Sequence, residues 1–229
     1  MRKAFGSSAL LIFLFAALSS LSAQNAARSK PGAPPSYCNP CLFYGGDFGS
    51  NESGIENGDT VLDSFTEILV PFDVPTGQIW KATGLFTNNL ATMNDFDPRQ
   101  AMWSLRQDVR SGDCGTLLAS GDSAAQVAPT GNNVFGISEY TVSVKIPPLQ
   151  LSSGRYWLSV VPECLNSGDS LCSAEQFYIS AFQGTGVGAC GPPEPNNDAF
   201  SSASLSGGSC ALVSGVEFSA GVLGASDTP

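Results

Sequence analysis

The chain has 229 residues, with ten Lys or Arg, twenty Asp or Glu and no histidine. Its formal charge of −10 at pH 7 argues against nucleic acid and anionic membrane surfaces as partners. The absence of histidine excludes Ser-His-Asp and Cys-His catalysis, a His-ligated metal and an imidazole general base. Carboxylate pairs, Ser-Lys dyads and lyase chemistry run by Lys, Arg or Tyr remain as enzyme mechanisms.

Residues 1–23 have the pattern of a secretory signal peptide. Arg2 and Lys3 precede an apolar run from Ala9 to Leu18, and a cleavage site of small residues follows before Gln24. The run is too short to span a bilayer comfortably. We therefore predict a secreted, extracytoplasmic protein that does not insert into a membrane after cleavage. Residues 24–36 are predicted to be a Pro/Ala/Ser linker, and residues 37–229 a single domain.

Short runs that alternate apolar and polar residues predict strands from about residue 63 onward. They are SFTEILVPF, QIWKATGLF, AMWSLRQ, EYTVSVKI, RYWLSVV, QFYISAF and GVEFSAGVL. In EYTVSVKI, the inward residues are Tyr140, Val142, Val144 and Ile146. The fold class predicted is all-β, a two-sheet antiparallel β-sandwich or jelly roll with disulfide-stapled loops.

Turns and loops are predicted where Gly, Ser, Asp and Pro cluster. Ser-Gly-Asp occurs at 111–113, 120–122 and 167–169, where glycine supplies positive φ, and Asn57-Gly58 begins another turn. Residues 184–215 are predicted to be long Gly/Ser/Pro-rich loops, and residues 216–223 a closing strand.

Several motifs occur in one order: LFYGGDF with NGD, VPFDVPTGQIWKATGLFTNN, WSLRQDV with GTLLASG, EYTVSVKI, and LQLSSGRYWLSVVP. In this respect the chain resembles exported bacterial β-sandwich proteins of the choice-of-anchor type. The resemblance implies a jelly-roll-like fold and an extracytoplasmic location. It implies no established activity and carries over no catalytic residue.

The seven cysteines predict a disulfide framework with one thiol left over; they are Cys38, Cys41, Cys114, Cys164, Cys172, Cys190 and Cys210. Cys164 and Cys172 flank a Ser-Gly-Asp turn and are predicted to pair. Cys190 and Cys210 bracket the Gly/Pro-rich excursion and are also predicted to pair. Cys38 and Cys41 form a structural disulfide, or one of them pairs with Cys114. A redox or zinc role is disfavoured because Pro40 and a Gly-rich run replace the expected helix and no histidine is available.

The acidic loop that follows is a candidate calcium site. Asp47, Asn51, Glu52, Glu56 and Asp59 supply hard oxygen ligands on a Gly-rich segment, which suits Ca²⁺. EF-hand spacing is not met, and a solvated acidic loop is the alternative.

Three functions remain open at this point. The first is a non-catalytic module that binds a glycan or a surface protein. The second is a structural envelope or matrix protein without a small ligand. The third is a carboxylate-pair glycoside hydrolase, with Glu67 and Glu139 as candidate acids. Trp80, Trp103 and Trp157 lie in alternating strands, where a tryptophan is more often core than a sugar platform.

Overall fold

The computed structural model describes residues 38–46, 53–60, 67–91, 98–134, 136–164, 177–183, 187–190, 210–213 and 216–227. The predicted signal peptide and linker lie outside these residues. Within them every regular element is a β-strand, which confirms the all-β class. The strands are β1 Cys41–Tyr44, β2 Ser53–Glu56, β3 Asp59–Thr60, β4 Glu67–Ala91, β5 Gln100–Gln107, β6 Thr116–Val134, β7 Ile137–Cys164, β8 Phe177–Gln183, β9 Val187–Cys190, β10 Ala211–Val213, β11 Val216–Phe218 and β12 Ala220–Asp227.

A long antiparallel ribbon of β4 and β7 forms the centre of the fold. Its register runs from Val70 opposite Leu158 to Ala91 opposite Ser138, with an irregularity between Val74 and Ile79. The predicted strands SFTEILVPF and QIWKATGLF are therefore both part of β4, and EYTVSVKI and RYWLSVV are both part of β7. The Pro- and Gly-containing segment at 75–78 bends β4 without ending its pairing with β7. Gly77 has a φ of 82° there, and its N–H donates to Ser153 Oγ at 2.8 Å.

The sheet curls because β6 pairs with different partners along its length. Its first half pairs with β5, from Thr116 to Ala124, and its second half pairs with β7, from Ala125 to Val134. Since β5 also pairs with β7, these three strands close on one another. The main strand order is β1-β12-β4-β7-β5-β6, and every pairing among the described strands is antiparallel except that of β3 with β7.

The main core lies inside this curl and follows the predicted alternation. Tyr140, Val142, Val144 and Ile146 are all buried, as expected from their spacing. An aromatic group centres on Phe72, whose ring centroid lies 6.1 Å from that of Trp80, 5.7 Å from Tyr156 and 5.6 Å from Phe43. We call the sheet surface facing this core the inner face and the opposite surface the outer face.

Some loop and strand boundaries differ from the prediction. Residues 187–190 and 211–213, predicted as loops, form β9 and β10, which pair with each other while β9 also extends β4. Residues 120–122, predicted as a turn, lie inside β6. The predicted strand at 216–223 is broken at Ser219, whose backbone instead bonds Ser180 and Asn88. These Gly- and Ser-containing segments pair with neighbouring strands, and this pairing sets their conformation in place of the turn that their local sequence favours.

Two disulfides are present among the described residues. Cys38 pairs with Cys41, which confirms the staple predicted for that stretch. Cys210 pairs with Cys114, so the predicted Cys190–Cys210 pairing is wrong. The Gly112 N–H donates to the Cys210 carbonyl at 2.6 Å, which brings Cys210 to the 110–113 turn, whereas Cys190 ends β9 opposite Glu67. Cys172 lies outside the described residues, so the Cys164–Cys172 pairing stays a prediction.

Candidate functional site

A group of polar side chains lies on the outer face where β4, β5 and β7 run together. We call Glu67, Ser104, Arg106 and Ser159 the outer polar site. Alternation places them there: the adjacent residues Ile68, Leu105 and Leu158 all belong to the main core. The β5–β7 register sets Ser104 opposite Ser159 and Arg106 opposite Trp157.

The Glu67 carboxylate joins β4 to β5. Ser104 Oγ donates to Glu67 Oε1 at 2.5 Å, and Arg106 Nη2 lies 3.9 Å from Glu67 Oε2. Arg106 Nη1 also donates to the Cys114 carbonyl at 3.4 Å. These contacts hold a carboxylate on β4 and a guanidinium on β5, two strands separated by β7, so their positions are fixed by the sheet rather than by a loop.

Two polar atoms of the site lack a hydrogen-bond partner among the described residues. Arg106 Nε and Ser159 Oγ are both buried and unpaired within the described part of the chain. Ser159 is 0% exposed, whereas the Arg106 side chain keeps 21% of its surface exposed. A guanidinium N–H and a hydroxyl can together bind an oxygen acceptor, and Arg106 forms the side of the site open to solvent.

An apolar wall lies beside the polar groups. Leu69, Val109, Trp157 and Cys210 form a small second core on the outer face, with Cys114 packed against it. The Arg155 guanidinium carbon lies 5.8 Å from the centroid of the Trp157 ring. The Cys114–Cys210 disulfide thus anchors the segment that covers this side of the site.

The two carboxylates considered for a glycosidase have separate surroundings. Both are buried, at 7% exposure for Glu67 and 1% for Glu139. Glu67 bonds Ser104 and Arg106, whereas Glu139 Oε2 accepts hydrogen bonds from Thr130 Oγ1 at 2.7 Å and Asn132 Nδ2 at 2.8 Å. Their partners do not overlap, so no contact among the described residues joins them as a pair.

The predicted calcium ligands are only partly within the described residues. Asp47, Asn51 and Glu52 lie outside them. Glu56 ends β2 opposite Tyr178, and Asp59 begins β3 opposite Glu163. Across the described ranges, no three His, Cys, Asp or Glu side chains form a group that could hold a metal ion. A calcium site in this loop stays a prediction.

Sequence reasoning missed a set of buried amides and hydroxyls at the end of β4. The Asn57 Nδ2 donates to the Val160 carbonyl at 2.9 Å and to Asn89 Oδ1 at 3.2 Å, while its Oδ1 accepts from the Ile68 N–H at 3.3 Å. Because Ile68 and Asn89 lie near opposite ends of β4, Asn57 ties the curled ribbon together. The signal was the polar run Thr87-Asn88-Asn89 inside an otherwise apolar strand.

Asn88, on the outer face, also joins distant parts of the chain through its side chain. Its Nδ2 donates to Ser219 Oγ at 2.9 Å, its Oδ1 accepts from Thr141 Oγ1 at 2.8 Å, and Ser219 Oγ donates to the Gly46 carbonyl at 2.8 Å. These groups satisfy one another. We therefore assign the Asn57 and Asn88 groups to stability and retain the outer polar site as the candidate binding site.

Comparison with protein-family models, with curated proteins and with solved structures found no match. In the part of the chain that the structure describes, no helix is long and apolar enough to cross a membrane. The candidate site is therefore interpreted from its own chemistry.

Proposed function

We propose that the protein is a secreted, non-catalytic β-sandwich module of jelly-roll type that binds a glycan at the outer polar site. The observation that carries the proposal is the combination of carboxylate, guanidinium and hydroxyl groups on one sheet face beside Trp157. Ligand sites are commonly apolar surfaces with a few fixed polar groups. A carboxylate accepts hydrogen bonds from sugar hydroxyls, and a guanidinium donates to them.

The chemistry of the site favours binding over catalysis. Ser104 is hydrogen-bonded to a carboxylate, and the described residues offer no lysine at the site that could activate a hydroxyl nucleophile. The separate surroundings of Glu67 and Glu139 also disfavour a two-carboxylate glycosidase, whose acids flank one scissile bond. Trp80 and Trp103 belong to the main core and Trp157 to the second core, where it is 7% exposed, so the proposed binding relies on the polar groups and not on stacking of a sugar ring.

A structural role in an envelope or matrix is the second proposal, and the surface of β6 favours it. Ser120, Asp122, Ala124, Gln126 and Ala128 are exposed at alternate positions along this strand. This row of small and polar side chains forms no concave pocket of the kind that usually binds a small ligand. It suits lateral contact with other macromolecules.

A glycan and polysaccharide array with the purified mature protein tests the first proposal. Binding both in Ca²⁺ and in EDTA supports a site made of protein side chains alone. Each bound glycan is then incubated with the protein and chromatographed, and an intact glycan supports a binding role. Shortened products would overturn the non-catalytic assignment, and no binding by a folded protein would favour the structural role.

A further inference from the structure

The first half of β6, residues 116–124, is an edge strand. It pairs with β5 along its length, and no other described strand pairs with it, because β7 joins β6 only from Ala125 onward. The Ala125 N–H donates to the Arg99 carbonyl at 2.9 Å, on the side of β5. Backbone groups alternate in direction along a strand, so the N–H and C=O groups of Ser120 and Asp122 point away from β5. We call this side of residues 116–124 the open edge.

The open edge has little of the protection that edge strands usually carry. Lysine and proline are common there, because they prevent pairing with another chain. Residues 116–124 contain neither, Asp122 is their only charged residue, and the one irregularity in their pairing lies at Leu118. Leu117 and Leu118 are also 47% and 43% exposed, among the few large apolar side chains of the described residues that are open to solvent. The open edge can therefore pair with another strand that covers these leucines.

The order of residues along the open edge is self-complementary. An antiparallel pairing of two copies centred on Gly121 sets Ser120 of each copy opposite Asp122 of the other, and Leu118 opposite Ala124. The backbone groups that point away from β5 then meet, and each Ser120 hydroxyl can donate to an Asp122 carboxylate. The two Asp122 carboxylates are not opposite each other, so a like-charge pair is avoided. Gly121 brings no side chain to the symmetry axis.

We propose that the open edge pairs with the open edge of a second copy of this chain and joins the two sheets in a symmetric dimer. A two-fold interface uses the same surface on both copies and closes at two. An edge of this length buries less than the roughly 1,200–2,000 Å² of a stable interface, so the dimer is weak, with a Kd on the order of 100 µM. The dimer is a property beyond glycan binding and does not require the outer polar site.

Sedimentation equilibrium of the mature protein, from about 10 µM to about 1 mM, tests this pairing. The wild type should dimerise reversibly over this range. Ser120→Asp sets two carboxylates opposite each other twice in the dimer and should weaken dimerisation about tenfold, whereas Ser120→Lys sets an ammonium opposite each Asp122 and should strengthen it. Gln126→Asp adds the same charge at an exposed position of β6 outside the open edge, so its Kd should stay within about twofold of the wild type.

A matched pair of leucines gives a second test that adds no charge. Leu118→Gln and Leu212→Gln each remove an exposed leucine, and only the first lies on the open edge. Leu118→Gln alone should weaken dimerisation, by about threefold or more, because it loses apolar contact with the second copy. This comparison also decides the matter if Ser120→Asp does not fold.

Amide hydrogen exchange locates the contact along the strand. The Ser120 and Asp122 amides should exchange more slowly at about 1 mM than at about 10 µM protein, because they are hydrogen-bonded only in the dimer. The Ala125 amide is already bonded to Arg99 and should not respond to concentration.

A wild type that stays monomeric up to about 1 mM would overturn the proposal. Equal dimerisation by Ser120→Asp and Gln126→Asp would overturn it as well, because the contact would then lie elsewhere on the surface. Arg106→Gln should dimerise like the wild type, so a failure of glycan binding and a failure of pairing are told apart.

Discussion

At the scale of single residues, Asn57 links parts of the curled sheet that lie far apart in the chain. Its side chain satisfies the Ile68 N–H and the Val160 carbonyl, and it is 0% exposed. Asn57→Ala removes the side-chain partner of the Ile68 N–H, leaves the Val160 carbonyl with the Thr87 Oγ1 bond at 3.1 Å, and opens a cavity. We therefore expect the free energy of unfolding to fall by about 2–4 kcal/mol. Urea unfolding measures this, with the exposed Gln126→Ala as a control that should change it by less than about 0.5 kcal/mol. An equal loss in both variants would contradict this role for Asn57.

Tyr156 makes the stability depend on pH at the alkaline end. Burial raises the pKa of its phenol above the ordinary value of 10.0. The folded state therefore favours the neutral phenol, and this stabilisation is complete below pH 10 and is lost as the pH rises through the folded pKa. Tyr156→Phe should lose about 1 kcal/mol at pH 7, because the 2.9 Å bond to the Ser152 carbonyl is removed. Unfolding between pH 7 and 11 should then show a shallower decline for the variant, and parallel curves would refute the assignment.

The sequence predicts the buried apolar residues of the core better than it predicts the buried polar residue Asn57. Tyr140, Val142, Val144 and Ile146 were predicted as core because burial of one face imposes a period of two on a strand. Asn57 was predicted only as the start of a turn, because its partners come from β4 and β7, far away in the chain. A long-range hydrogen bond leaves no periodic signal.

At the scale of elements, the bend in β4 and its contact with β12 depend on glycine for different reasons. A Cβ at Gly77 would meet no atom within 4 Å, so Gly77→Ala costs only the strain of positive φ, about 1 kcal/mol. A Cβ at Gly221 would overlap the Phe86 ring, which is itself 0% exposed. Gly221→Ala should therefore lose more than about 2 kcal/mol in urea unfolding. A larger loss for Gly77→Ala than for Gly221→Ala would contradict this assignment.

The outer polar site shows the limit of element-level prediction. Alternation within AMWSLRQ is enough to place Ser104 and Arg106 on one face of β5. Ser104 and Arg106 contact Glu67 because β7 pairs with β4 on one side and with β5 on the other. This arrangement is set by the register of the long strands. The sequence predicted short strands and so could not place these side chains together.

At the scale of the whole molecule, the Cys114–Cys210 disulfide joins residues 96 positions apart. Closing a loop of this length removes much of the entropy of the unfolded chain, so Cys114→Ser/Cys210→Ser should lose about 2–4 kcal/mol. Cys38→Ser/Cys41→Ser opens a loop of three residues and should lose less. Urea unfolding of the two double variants makes the comparison, and the reverse order would contradict the account. Spacing alone could not predict this pairing, because it is set by the fold that brings Cys210 to the 110–113 turn.

Above all, we propose that the outer polar site binds a glycan without cleaving it. Arg106→Gln and Arg110→Gln each remove one positive charge, but the Arg110 side chain is 74% exposed and pairs with Asp113 rather than with Glu67. Glycan-array binding of the two variants, at equal thermal stability, is the most direct measurement. We expect Arg106→Gln to lose at least tenfold in affinity while Arg110→Gln binds like the wild type. Equal binding by both variants would contradict it.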